Sequence, residues 1–101
     1  MRILIVSATA QETDAIGARL RDFSRHHIDR LVTGVGMVAT AARCAQALTR
    51  EPYDLALNLG VCGSFDRTLA PCTVVHVVTD RLAELGAEDG DQFLTIQQMG
   101  L

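Results

Sequence analysis

The sequence has no lysine, and no apolar run in it is longer than four or five residues. The short runs exclude a membrane-spanning helix, which needs roughly 20 consecutive apolar residues. Behind Ile3-Leu4-Ile5-Val6 the chain turns polar at once through Ser7-Ala8-Thr9-Ala10-Gln11-Glu12, so a signal-peptide core is lacking too and a cytoplasmic location is expected. Without lysine all nine bases are Arg, and twelve acids bring the formal net charge to -3, which is no footprint for nucleic acid. Cys44, Cys62 and Cys72 are an odd number with no CxxC pair, which gives no disulfide framework and fits a reducing compartment. No His/Cys spacing suggests zinc, and the acids do not follow the EF-hand pattern, so neither metal nor cofactor is expected.

What is present is 101 residues, 49% hydrophobic and 21% charged, as in one compact domain with a single core. The negative charge is local. Glu84, Glu88, Asp89 and Asp91 fall between Leu82 and Gln92 with no base among them, while the remainder carries nine bases and eight acids. A solvated acidic surface loop is expected there.

Ile3 to Val6 is a β-branched and Leu run of the kind buried on both faces of a parallel sheet, and it is expected to be a central strand. From Gln11, Ile16, Leu20 and Phe23 recur at helical spacing between Asp14, Arg19, Arg21 and Asp22. Thr9 is a candidate N-cap, and Glu12 three positions on completes a capping box. Ser24-Arg25-His26-His27 breaks that pattern, and Ile28 to Thr33 reads as a second strand. Gly34-Val35-Gly36 then opens a wide apolar helix from Met37 to Leu48, whose alanines allow close approach to a sheet and which Pro52 terminates. Leu55 to Leu59 is a third strand, Thr73 to Thr79 a fourth with His76 among its valines, and Phe93 to Ile96 a weaker candidate. Alternating strands and helices give an α/β fold with a largely parallel sheet and right-handed crossovers.

In such sheets ligands bind beyond the carboxyl ends of the strands. Three segments reach that position: Ser7 to Glu12, Thr33 to Gly36, and Gly60 to Phe65. Gly34 to Ala39 satisfies G-x-G-x-x-G/A literally, but Asp54, twenty residues on, precedes the next strand instead of ending it, so a dinucleotide site is disfavoured. The turn either brings backbone N–H groups to polar ligand atoms at a helix start or is simply a tight turn. Gly60-Val61-Cys62-Gly63-Ser64-Phe65 either presents a flat backbone surface to a planar base or is a bend needing glycine. No basic residue marks Cys62 as a thiolate, and a small buried filler is expected. Glu12 is either a general base on water or a capping residue alone.

MRILIVSATAQETDAI, TGVGMVATA and NLGVCGSFD, in that order, resemble the first half of the nucleoside phosphorylase superfamily. The nearest branch is the hydrolytic one, the futalosine hydrolases and the methylthioadenosine/S-adenosylhomocysteine nucleosidases. Asp80 to Asp91 and the short connection from Phe23 to Thr33 look most like futalosine hydrolase. The resemblance implies a three-layer αβα fold with a largely parallel, mixed sheet, truncated here to part of one domain over 1–101. It implies hydrolysis of the N-glycosidic bond of a purine-like nucleoside, most simply futalosine in menaquinone synthesis, through an oxocarbenium-like transition state, in a homodimer or larger. By resemblance Glu12 activates the water, Ala8 and Thr9 line the ribose, Val61, Cys62 and Gly63 border ribose and base, and Gly34, Val35 and Gly36 lie beside the site. Val61 replaces a hydroxyl of the methylthioadenosine pattern, and Cys72 stands where relatives carry Gly. The family's second half supplies the aspartate that protonates the base and the glutamate that binds the ribose hydroxyls, so the isolated chain is expected to have little or no activity. Phosphorolysis and a non-catalytic nucleoside-binding or assembly role are the competing readings, with no nucleic acid and no membrane as partners.

Overall fold

The computed structural model describes residues 1–20 and 25–101, so the expectations for Arg21, Asp22, Phe23 and Ser24 lie outside the described residues. Two compact units are resolved, Met1–Phe65 and Asp66–Leu101. In the first, the elements run β1 (Arg2–Ser7), α1 (Ala10–Leu20), β2 (His27–Val32), α2 (Met37–Arg50) and β3 (Leu55–Asn58). The sheet order is β2-β1-β3 and both pairings are parallel, with Ile5 opposite Arg30 on one side and Leu57 on the other. The first strand is therefore the central one, as its unbroken apolar run implies. Leu4, Ile5 and Val6 form the buried core, each stabilising the fold by about 1.5–3 kcal/mol.

The direction of travel reverses between the two crossovers, since β2 lies on one side of β1 and β3 on the other. In parallel sheets such a reversal marks the place where ligands bind, beyond the carboxyl ends of the strands. The helix α2 ends where Pro52 requires, with Glu51 as its C-cap donating its N–H to the Ala47 carbonyl. None of its residues is buried, and all four residues of β3 are exposed. The alanine-rich face expected to lie close against the sheet is thus mostly open.

At the amino ends of the strands the chain is held by charge. The Arg2 guanidinium donates to Asp29 Oδ2 at 3.1 Å and to Glu51, and its carbon lies 5.1 Å from the Tyr53 ring centre. Tyr53 donates its hydroxyl to the same Asp29 oxygen at 3.0 Å, and Asp54 Oδ2 accepts the Arg2 N–H at 2.6 Å. Asp54 thus sits at the opposite end of the sheet from the Gly34–Gly36 turn.

The second unit holds an antiparallel hairpin, β4 (Gly86–Asp89) with β5 (Gln92–Thr95). Gly90, with φ 61°, takes the first turn position, where a type II′ connection needs glycine. The acidic segment expected as a loop is therefore partly strand, although still exposed. The fourth strand expected over Thr73–Thr79 is absent: the segment has no regular structure, His76 and its flanking valines are exposed, and no ladder partner satisfies its backbone. An apolar β-branched run becomes a strand only when an edge pairs with it. Cys72 has φ 67°, a left-handed conformation that favours glycine, the residue the resemblance implies for this turn.

Among the described residues no helix is long and apolar enough to cross a membrane.

Candidate active site

Three backbone hydrogen bonds beyond the strands draw their carboxyl ends together. Thr33 donates its N–H to the Ser7 carbonyl at 2.9 Å, Gly34 to Ala8 at 3.1 Å, and Leu59 to Val6 at 2.9 Å. The three segments that the sequence places at this end are therefore continuous with the ladder. Hydroxyls fill the space behind them. Ser7, buried, donates to the Thr9 carbonyl at 2.9 Å and lies 3.4 Å from the buried Thr13 hydroxyl. The Thr13 hydroxyl donates to the Ala10 carbonyl at 3.4 Å. Arg30 in turn donates to Thr13 Oγ1 at 2.7 Å and to Asp14 at 2.8 Å, tying β2 to α1. Buried Thr33 lies 3.1 Å from the Thr40 hydroxyl, fixing the turn before α2 to the first turn of that helix.

In that turn Gly34 has φ 87° and Gly36, the N-cap of α2, has φ 101° and ψ 151°. Side chains rarely adopt such conformations, so both glycines are required by backbone geometry. Gly36 makes no side-chain cap, and the first turn of α2 carries no acid.

Glu12 is the centre of the arrangement. Its Oε2 accepts the Thr9 N–H at 2.8 Å and the Thr9 hydroxyl at 3.2 Å, and the first of these is the capping-box bond. Its Oε1 accepts the Val61 N–H at 3.2 Å, joining the start of α1 to the loop after β3. The Thr9 N–H, followed by the Val61 N–H, holds the Glu12 carboxyl below its ordinary range, against a smaller opposing effect of desolvation. The group is ionised at neutral pH, and its bonded partners are neutral dipoles.

Of the residues singled out in the sequence, Thr9, Glu12 and Val61 meet directly, and Ala8 and Gly34 are joined through the backbone. Val35, Gly36, Cys62 and Gly63 lie exposed in the adjoining turns. Cys62 is exposed and its thiol free, which corrects the expectation of a buried filler: the loop after β3 runs along the surface and has no core to fill. Sequence reasoning gave no role to the side chains of Thr13, Arg30 and Thr40, or to the Thr33 hydroxyl, although the three threonines lie within the quoted motifs. Among the described residues no group of three or more His, Cys, Asp or Glu is placed to hold a metal ion.

The chain is similar to the futalosine hydrolase of Streptomyces coelicolor, 32% identical over 120 aligned residues that take in 99% of this chain and 50% of the relative. It thus spans about half the length of the curated relative it matches. No family model matches the chain, and no solved structure matches it.

Proposed function

The chain is futalosine hydrolase-like and corresponds to an N-terminal half, and on that premise we propose that it carries the water-activating side of a site that hydrolyses a purine-like nucleoside. The observation that supports this is Glu12, held between Thr9 and Val61 at the carboxyl end of the central strand. Futalosine, in the synthesis of menaquinone, is the substrate that the resemblance favours.

In the reaction the ribosyl C1′–N bond breaks, its electron pair leaves with the base, and C1′ becomes cationic. Water adds to C1′ and loses a proton, while the base gains one. Glu12 is ionised but weakly basic, because its N–H bonds lower its affinity for a proton. Such a carboxylate orients water by accepting its hydrogen bond and stabilises the neighbouring positive charge, taking the proton only once the water oxygen is bonded to carbon. Ala8 and Thr9 border the ribose, Val61, Cys62 and Gly63 the ribose and base, and the Gly34–Gly36 turn lies beside them. Protonation of the base and capture of the ribose hydroxyls belong to the family's other half. By the same resemblance the protein works in the cytoplasm as a homodimer or larger assembly.

The test joins this chain to the remaining half of the Streptomyces coelicolor relative and follows base release from futalosine with and without phosphate. Release of free ribosyl product at a phosphate-independent rate is expected. A product phosphorylated at C1′ in a phosphate-dependent reaction would replace hydrolysis by phosphorolysis. Nucleoside binding in a calorimeter with no turnover by the joined protein would reduce the chain to a binding module.

A further inference from the structure

We infer that Gly60 is a positioning residue for Glu12: the absent side chain at the end of β3 leaves open the space in which Glu12 Oε1 lies against the Val61 N–H. A Cβ built on Gly60 would meet Oε1 at 2.9 Å and the carboxyl carbon at 3.6 Å. The first distance is shorter than folded proteins tolerate, so the carboxylate would have to move. Gly60 is not among the glycines with positive φ, so its backbone does not itself call for glycine. What requires glycine there is the approach of one carboxylate oxygen.

The distribution of bonds on Glu12 says why that oxygen matters. A carboxylate offers about four lone-pair sites. Oε2 uses two of them on Thr9, whereas Oε1 uses one on Val61, which leaves Oε1 the more open acceptor of the two. Oε1 is therefore the oxygen that receives water, and Gly60 with the Val61 N–H sets where it stands. This deepens the reading of Glu12 as the water-orienting group, but the geometry stands without it.

Because the atom in the way is the far end of a flexible side chain, Gly60→Ala should leave the fold intact and displace only the carboxylate. The experiment is a carbon-13 NMR titration of the Glu12 carboxyl in the wild-type chain and in Gly60→Ala, with the backbone amide spectrum as the check on folding. The Glu12 pKa is expected to rise toward its ordinary value as the Val61 bond is lost. In an E12D background, whose carboxyl is drawn back by one methylene, Gly60→Ala should no longer move the titration at position 12. Should Gly60→Ala fail to fold, Val61→Pro removes the donor without adding a Cβ at position 60, and the same rise is expected. An unchanged Glu12 titration in a folded Gly60→Ala or Val61→Pro protein overturns the inference, as does an equal effect of Gly60→Ala in the E12D background. In the joined protein, Gly60→Ala should lower kcat by about 10- to 100-fold with KM little altered. A shifted Glu12 titration without nucleosidase turnover in the joined wild type removes the proposed function and leaves Gly60 in its role; turnover with no shift does the reverse.

Discussion

The two ends of the three-stranded sheet hold their charges in opposite ways. At the amino ends the carboxylates of Asp29 and Glu51 close on the guanidinium of Arg2, with Tyr53 donating to Asp29 and stacked near the arginine. At the carboxyl ends the carboxylate of Glu12 is held by two backbone N–H groups and a hydroxyl. Neutral donors stabilise an anion without cancelling its field, whereas a countercharge removes that field from the surroundings. The amino end is built to hold β1, β2 and the approach to β3 in register. The carboxyl end keeps a negative charge fixed in direction beside glycine turns that leave room for a ligand, which is the arrangement a developing cation can use.

The sharpest way to break this contrast is to exchange function for stability at each end. Glu12→Gln in the joined protein should lower futalosine turnover by about 10²–10⁴-fold while its melting temperature falls only slightly. A variant that melts early and keeps its turnover would make Glu12 a fastener like Asp29. The next effect in size concerns the turn before α2. With φ 101° and ψ 151°, Gly36 lies where only glycine is comfortable, so Gly36→Ala should cost about 1–3 kcal/mol in urea unfolding. Gly60→Ala at the same end should cost far less, because there a mobile carboxylate yields in place of the backbone. Equal losses at the two glycines would mean that the carboxyl end is as rigidly built as the amino end.

How far these two ends could be read from sequence differs for a physical reason. Local patterns announced β1, α2 with its stop before Pro52, and the Thr9–Glu12 capping box, because each depends on residues within a few positions of one another. The parallel order with β1 central followed from its unbroken apolar run. Thr73–Thr79 carried an equally good strand pattern and is not a strand, since a strand also needs a partner edge that no local pattern supplies. The Arg2–Asp29–Glu51–Tyr53 cluster spans about four-fifths of the first unit in sequence and has no spacing rule to reveal it. The Val61 bond to Glu12 joins residues 49 positions apart. The motifs brought both residues to one end of the sheet, but not into contact.

The smallest expected effect lies at the amino end and concerns acid. Burial raises the Asp29 carboxyl, but the hydrogen bonds from Tyr53 and Arg2 outweigh it and leave the group below its ordinary value of 3.8. A carboxylate with a lowered folded-state pKa stabilises the fold fully above its unfolded value and loses that contribution as pH falls through the folded one. The loss therefore begins near pH 4 and deepens below it. Asp29→Asn should lower the urea midpoint slightly at pH 7 and flatten the fall in midpoint between pH 5 and about pH 3, and futalosine turnover by the joined protein should not change. The effect is modest because the side chains of Arg2 and Asp29 are each 32% exposed, where water and salt screen the attraction. Glu12, lowered from 4.5, contributes to the same window from the other end of the sheet. Asp29→Asn should therefore remove part of the acid sensitivity, and Glu12→Gln part of what remains. If Asp29→Asn abolished it entirely, the neutral donors around Glu12 would not be holding that carboxylate in its charged form, and the difference between the two ends would vanish.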